Sequence, residues 1–505
     1  MRRLPFLALA ALLAGCEGSL PSHDFGTPIL VSPGGHLEIP PEAGREAAPS
    51  AGGVPTHPRD LKPPAPLVFS PQPISPALLA NGTKVFVTED RTVPLVHITV
   101  TLRTGILEEA PEQSGLAALT GSLLRDGGAG DWDADALDEL LEDMAASVSS
   151  DVTEDMGTLA LSCRTQDLPR CLDVLKAVLV SPRFDERRLS LTRAQDIEGI
   201  RRRKDDPSDL AALAYDETVY GADSPWARSP TLDTVGKLTR EDVVAFHRDH
   251  ILPCLCSIAV SGDIRKAELL PQLEGAFGTL ARREGQGPPL PPTPGIQQVR
   301  TILIPKSLDQ ATLMIGHAGP PNLLEGQPHP DRYALQVFNF IFGGGGFGSR
   351  LTMEVRVRKG LAYSVYGSLA MGNGHGAITM SSQTRTEGTL EALKTMREVL
   401  EGVLAAGVTE DEVRTAKDSL VNAFVFRVAT PANQVQNAAL YDYAGLPPDY
   451  LSQYVSQIQA VTAEDVMRAA RAHYHPGQMS VVVCGSREAL EAPLQALGPV
   501  EIREP

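Results

Sequence analysis

The chain has 505 residues, 42% of them hydrophobic, enough to bury more than one core, so several domains are expected rather than one. With 45 Lys and Arg against 62 Asp and Glu the net charge is −17, which argues against nucleic acid and against attraction to anionic membrane surfaces. Six cysteines in no metal-ligand or framework spacing argue against a zinc module or a dense disulfide scaffold.

In chain order, residues 1–16 read as a targeting segment. Arg2 and Arg3 give a charged start, Leu4 to Leu13 is an apolar run too short to span a bilayer, and Leu13-Ala14-Gly15-Cys16 resembles a bacterial lipobox. Cys16 would then be the lipidated first residue, and Glu17 after it is not the Asp of an inner-membrane retention signal. The expected location is the outer membrane, facing the periplasm. No other stretch is long and apolar enough to cross a membrane, so acyl chains would be the only attachment. Residues 17–72, rich in Pro, Gly, Ser and Ala, cannot offset the entropy of ordering and read as a flexible tether.

Two halves follow, residues 73–283 and 298–505, separated by a proline-rich linker over 284–297. The first opens with a predicted strand at Leu95 to Leu102, a turn at Thr104-Gly105 and a helix start at Gly115 to Leu124 (G-L-A-A-L-T-G-S-L-L). Amphipathic patterns predict helices over Asp133 to Ala146, Leu168 to Val180 and Thr389 to Ala405, and strands over Leu159 to Cys163, Gly376 to Ser382 and Met479 to Val483. Helices and strands in mixed order predict an α+β fold of mostly antiparallel sheets packed on helices. Cys254 and Cys256 alternate on a predicted strand, and Cys163, Cys171, Cys254, Cys256 and Cys484 all read as buried small hydrophobes.

The halves repeat one another. Thr239 to Gly262 overlays Thr462 to Gly485 at a constant offset of 223 without a gap, with Thr, Glu, Asp, Val, Arg, His, Pro, Ser, Val and Gly recurring in register. Each copy predicts a Thr-capped helix with acids in its first turn, a Pro stop and a buried strand ending at Gly.

Two motifs carry chemistry. Ile341 to Tyr366 reads I-F-G-G-G-G-F-G-S-R-L-T-M-E-V-R-V-R-K-G-L-A-Y-S-V-Y, with no P-loop Lys and no dinucleotide context, so its glycines read as a tight turn or hinge. Together with the helix start at Gly115, it resembles the insulinase/pitrilysin metallopeptidases, the branch that includes the mitochondrial processing peptidases, over about residues 75–490. That resemblance implies two similar halves, each an α+β sandwich, facing one another across a cavity. It also implies that Arg356 and Tyr363 point into the substrate chamber, where a guanidinium and a phenol suit an extended peptide.

The family's zinc motif is H-x-x-E-H on the first helix. Here its three functional positions fall on Ala118, Gly121 and Ser122, none of which binds metal or activates water. The third ligand position, ahead of Asp205-Asp206-Pro207, falls on Glu198 or Gly199, and one carboxylate without the imidazoles makes no catalytic site. His247-x-x-His250 and His473-x-His475 have no flanking acid or thiol to complete a set, and read as helix-end groups capping carbonyls. No G-x-S-x-G elbow is present.

The resemblance therefore implies a zinc-less subunit of Arg/Tyr type. It would hold no cofactor, bind extended peptides through Arg356 and Tyr363, and complement a zinc-bearing homologous partner in a periplasmic peptidase. A structural or peptide-binding lipoprotein without a proteolytic role is the alternative, and an autonomous metallopeptidase with another metal site a more distant one.

Overall fold

Alternation of apolar and polar residues, as in Gly157–Arg164, is what a half-buried strand requires, and continuous apolar runs such as Ser480–Gly485 mark strands covered on both faces. The computed structural model describes residues 73–283 and 290–505; the leader with Cys16, the tether and part of the linker lie outside the described residues. The first half contributes β1 (Ala77–Leu78), β2 (Lys84–Glu89), β3 (Leu95–Leu102), β4 (Ser147–Val152), β5 (Gly157–Arg164) and β6 (Leu255–Gly262). The second contributes β7 (Thr301–Pro305), β8 (Gln310–Ala318), the short hairpin β9 (Leu323–Leu324) and β10 (Gln327–Pro328), then β11 (Ala362–Met371), β12 (Gly376–Arg385), β13 (Ser480–Gly485) and β14 (Val500–Ile502). Helices that position the sites are α1 (Leu116–Asp126), α2 (Leu168–Val180), α3 (Glu186–Arg203), α4 (Pro207–Tyr220) and α5 (Arg240–Phe246) in the first half. Those in the second are α6 (Arg332–Asn339), α7 (Thr389–Ala406), α8 (Glu410–Arg427), α9 (Pro431–Tyr443) and α10 (Ala463–His473).

Five strands of each six-stranded sheet share one order, and the outermost strand differs, β1 opening the first half and β14 closing the second. The first runs β1-β2-β6-β3-β5-β4 and the second, read from its far edge, β14-β7-β13-β8-β12-β11. In each, the repeated strand lies centrally between a parallel neighbour (β2 or β7) and an antiparallel one (β3 or β8), and all remaining pairs are antiparallel except β7 with β14. The mixed α/β fold expected from sequence is thus present, with the duplication written into strand order. Both copies of the repeat begin with a capping box. Asp242 Oδ2 accepts from Thr239 N at 2.9 Å, and Asp465 Oδ2 accepts from Thr462 N at 3.1 Å. In the first copy the helix widens into a π-type turn over His247–Ile251 before Pro253, and Cys254 falls in the turn ahead of β6 rather than on the predicted strand. Cys256 is only partly buried, unlike Cys163, Cys171, Cys254 and Cys484.

Each sheet packs its own helices on one face: Ile98, Val100 and Val260 against Leu119 and Leu175 in the first half, Leu313 and Ile315 against Leu335 and Phe338 in the second. Each such fully buried side chain contributes roughly 1.5–3 kcal/mol of transfer free energy. The other face is covered by exchange. Helix α4 of the first half lays Leu210, Ala211 and Tyr215 on Ile302, Ile304 and Val482 of the second sheet, while α9 of the second half lays Val435 and Ala439 on Phe86 and Ala259 of the first. Tyr215 Oη lies 2.8 Å from Thr379 Oγ1, and Lys84 Nζ donates to Asp442 at 2.6 Å. The halves therefore do not merely face one another: each completes the other's core. The described residues belong to one compact unit, and among them no helix is long and apolar enough to cross a membrane.

Candidate functional site

The site has two parts, at topologically matching places in the halves. In the first, α1 starts at Gly115, whose φ of 103° only glycine adopts readily. Its first amides are capped by the buried Glu109, which accepts from Gly115 N at 3.1 Å and from Ala117 N. Burial pushes the Glu109 carboxyl up to about 7, against the pull of those amides.

Helix α1 runs beside the edge strand β4. Ser150 Oγ donates to Gly121 O at 2.6 Å, and a Cβ placed on Gly121 would come within 2.8 Å of both Val152 N and Val152 Cγ2. A side chain at Gly121, the position expected from sequence to match a general base, would therefore meet strand backbone. Ala118 and Ser122, both partly exposed, flank it and offer a methyl and a hydroxyl. Of the two candidates for the third ligand, Glu198 is exposed and pairs with Arg202 at 2.9 Å, one turn along α3, while Gly199 is exposed with nothing within 4 Å of a Cβ. Neither register brings a free carboxylate to an assembled zinc site.

The second part is built on β11, the free edge of the second sheet. The register between β11 and β12 slips between Ala362 and Ser364, so Tyr363 is the extra residue of a bulge and its side chain stands 81% exposed. Arg356 lies in the wide turn Met353–Arg358 that precedes the strand. Its guanidinium sits 5.1 Å from the Tyr363 ring centroid and 4.6 Å from that of Phe347, in cation–π contact with both. The sequence-predicted pair is thus brought together, and Phe347, exposed within the glycine run, is a third member that sequence reasoning missed. Its signal was available: a large aromatic between glycines, with no apolar period to bury it.

The glycine run itself is explained by packing. A Cβ on Gly343 would lie 2.6 Å from the backbone of Gly367 on β11, so helix and edge strand touch here as they do at Gly121 and Val152. At the base of the turn, Arg350 is bidentate to Glu412 at 2.7 and 2.8 Å and donates to Gly407 O at 2.9 Å. The Arg350 bonds, aided by Thr409, hold the Glu412 carboxyl down at about 2. A groove of about 730 Å³ beside this anchor is lined by Arg350, Glu354, Arg358 and Glu412, but by neither Arg356 nor Tyr363. The Arg356–Tyr363 face is an open surface along a strand edge.

The histidines divide. His247 Nε2 bonds the carbonyl of Leu179 at 2.7 Å, near the end of α2, as a carbonyl cap should. His250 and His473 instead meet carboxylates: His250 Nδ1 is 2.9 Å from Glu108, and His473 Nε2 is 2.9 Å from Asp331. The acid that the sequence did not reveal beside His473 is supplied by a segment 142 residues away.

Comparison with known proteins accords with this geometry. Residues 84–223 match the family model described as insulinase (peptidase family M16), and residues 237–420 the model described as peptidase M16 inactive domain. An uncharacterized zinc protease of Streptomyces coelicolor is 28% identical over 312 residues, 60% of this chain and just under two thirds (66%) of that protein. The non-peptidase homolog YmxG of Helicobacter pylori is 23% identical over 403 residues, 79% of this chain and 91% of that one. Among solved structures, a peptidase M16 inactive domain from Pseudomonas fluorescens superposes with a TM-score of 0.73 at 26% identity, covering 82% of this chain and 98% of that one. A protease from Helicobacter pylori shares the fold at a TM-score of 0.72 and 19% identity, covering 82% of this chain and all (100%) of that one. On these matches, to the insulinase model, the inactive-domain model and a non-peptidase homolog, the chain belongs to the insulinase family as a non-catalytic member.

Proposed function

We propose that this chain is the peptide-binding subunit of a heteromeric peptidase, without a catalytic zinc of its own, anchored through Cys16 to the outer membrane and facing the periplasm. The observation that carries the reading is the contrast between matching places in the two halves. Both edge strands are touched by a helix, but the helix beside β4 offers no metal ligand, whereas the turn into β11 carries an exposed Tyr363 and a guanidinium in contact with two aromatic rings.

An extended peptide adds to a free strand edge through main-chain hydrogen bonds. Arg356 then offers a fork of donors to peptide carbonyls or a terminal carboxylate, and the Tyr363 hydroxyl donates to a carbonyl oxygen as charge builds on it. The stacking of Arg356 pre-orients its donors, which lowers the entropy lost on binding. Water activation belongs to a zinc-bearing homologous subunit.

The test is peptide hydrolysis by residues 73–505 alone and mixed with a zinc-bearing homologue from the same organism. No cleavage alone and a rise in turnover in the mixture is the expected result. Tyr363→Phe lowers turnover of the mixed complex by roughly 100-fold, the lower end for loss of one oxyanion donor, without dissociating it. Assembly with partners that never supports cleavage would replace this reading by a structural lipoprotein, and cleavage by the chain alone would overturn it.

A further inference from the structure

In each half an acid ahead of the first helix pairs with the histidine at the end of the repeated helix. Glu108 meets His250 and is joined by Arg283 at 2.8 Å; Asp331 meets His473 and is joined by Arg468 at 2.6 Å. Only the second half adds another imidazole. His329, two residues before Asp331, sets its ring 5.2 Å from that of His473 at an interplanar angle of 71°. One ligand atom from each of His329, Asp331 and His473 lies within 4.8 Å of the others, and among the described residues this is the His, Cys, Asp and Glu group close enough to hold a metal ion. His329 and Asp331 are buried, and His473 is partly open to solvent.

We propose that His329, Asp331 and His473 bind a divalent first-row cation, zinc foremost, as a structural clamp between the start of α6 and the end of α10. Two imidazoles and a carboxylate are the donor set such a cation prefers, and solvent at His473 leaves room for water as a fourth ligand. Asp331 is already oriented for it: Oδ1 accepts from Arg468, while Oδ2, 2.9 Å from His473 Nε2, is the oxygen turned to the cluster. With bonds of about 2.0–2.1 Å, a cation bridging that pair has a bond angle of roughly 90°, and a few tenths of an ångström of opening reaches the tetrahedral value. His473 takes the Nδ1–H tautomer, freeing Nε2 for the cation. His329 exchanges its long 3.2 Å contact with the Asp331 amide for a metal bond. Arg468 does not prevent binding, because it donates to Oδ1 and leaves Oδ2 for the cation.

The site cannot replace the missing catalytic one. It lies in the half opposite α1, and two of its three ligands are buried. The inference does not depend on the proposed function, and its readout is metal occupancy rather than cleavage. The full chain, stripped with a chelator, is titrated calorimetrically with Zn²⁺ alone and followed by visible absorption with Co²⁺ alone. One equivalent is expected to bind, with a Co²⁺ spectrum of nitrogen and oxygen ligation and a thermal midpoint that rises with zinc. His473→Gln keeps a donor for Asp331 and so preserves the fold, yet weakens binding by about 10-fold or more, as does His329→Gln. His250→Gln, at the matching place in the first half, leaves binding intact. Failure of the wild-type chain to bind at millimolar zinc, undiminished binding in His473→Gln, or loss of binding in His250→Gln would each overturn the assignment.

Discussion

Adding a single methyl group at two helical glycines separates a closed site from an empty one. Replacing a helix-interior glycine by alanine gains about 1 kcal/mol from backbone entropy when the methyl meets nothing. At Gly199, exposed on α3 with nothing within 4 Å of the new Cβ, that gain stands alone, and Gly199→Ala is expected to stabilise by about 1 kcal/mol. At Gly121 the same Cβ comes within 2.8 Å of Val152 N, a backbone atom held in register against Gly157 of β5. Overpacking of this kind costs typically about 1–3 kcal/mol, and because the atom met is backbone the cost exceeds the propensity gain, so Gly121→Ala is expected to destabilise by up to about 2 kcal/mol.

The measurement is urea unfolding of residues 73–505 followed by tryptophan fluorescence. Both tryptophans of the chain, Trp132 and Trp226, lie in the first half, so the signal reports the half that carries both substitutions. Opposite shifts of the midpoint are the expected outcome. An equal or higher midpoint for Gly121→Ala would show that α1 has room at the general-base position, and the argument that β4 closes the site would fail. The triple variant Ala118→His, Gly121→Glu, Ser122→His tests the same point from the other side: it is expected to gain no zinc at this helix.

Other consequences concern charge and the joint between the halves. Burial, with the Glu154 and Glu217 carboxylates nearby, pushes Asp216 from its ordinary 3.8 up to about 7. The folded state then binds the proton more tightly than the unfolded chain. The associated stability is complete below about 3.8 and is lost as pH rises through 7, by up to about 4 kcal/mol. Asp216→Asn should accordingly raise the unfolding midpoint at pH 8 and reduce its decline between about pH 4 and 7; a variant no more stable than wild type at pH 8 would refute this. Glu412 has the opposite sign: held down at about 2 by Arg350, it stabilises above its ordinary 4.5 and ceases to do so as pH falls toward 2. Glu412→Gln should cost about 1.5–3 kcal/mol at pH 7 and remove acid sensitivity in that window, read by circular dichroism during acid titration. Tyr215→Phe removes a buried hydroxyl bonded to Thr379 across the halves and is expected to cost about 1–2 kcal/mol in urea unfolding, with no effect at all counting against the exchanged-helix joint.

What the sequence determined by itself was local. The capped helix, Pro stop and buried strand of Thr239 to Gly262 and Thr462 to Gly485 can be read in order because caps, apolar periods and breakers act over a few residues, and their repetition at 223 already implied two copies of one unit. That a methyl, a hydrogen and a hydroxyl at Ala118, Gly121 and Ser122 offer no zinc ligand is a local property as well, since it lies in each side chain by itself. The tertiary structure decided everything that depends on residues distant in the chain. The exchange of α4 and α9 between sheets, the contact of Gly121 with Val152, and the bulge that turns Tyr363 outward each need the partner strand or sheet in place. So does the meeting of His473 with Asp331, because long-range contacts follow from how two apolar faces pack, and no local period records which carboxylate that packing will bring beside a histidine 142 residues away.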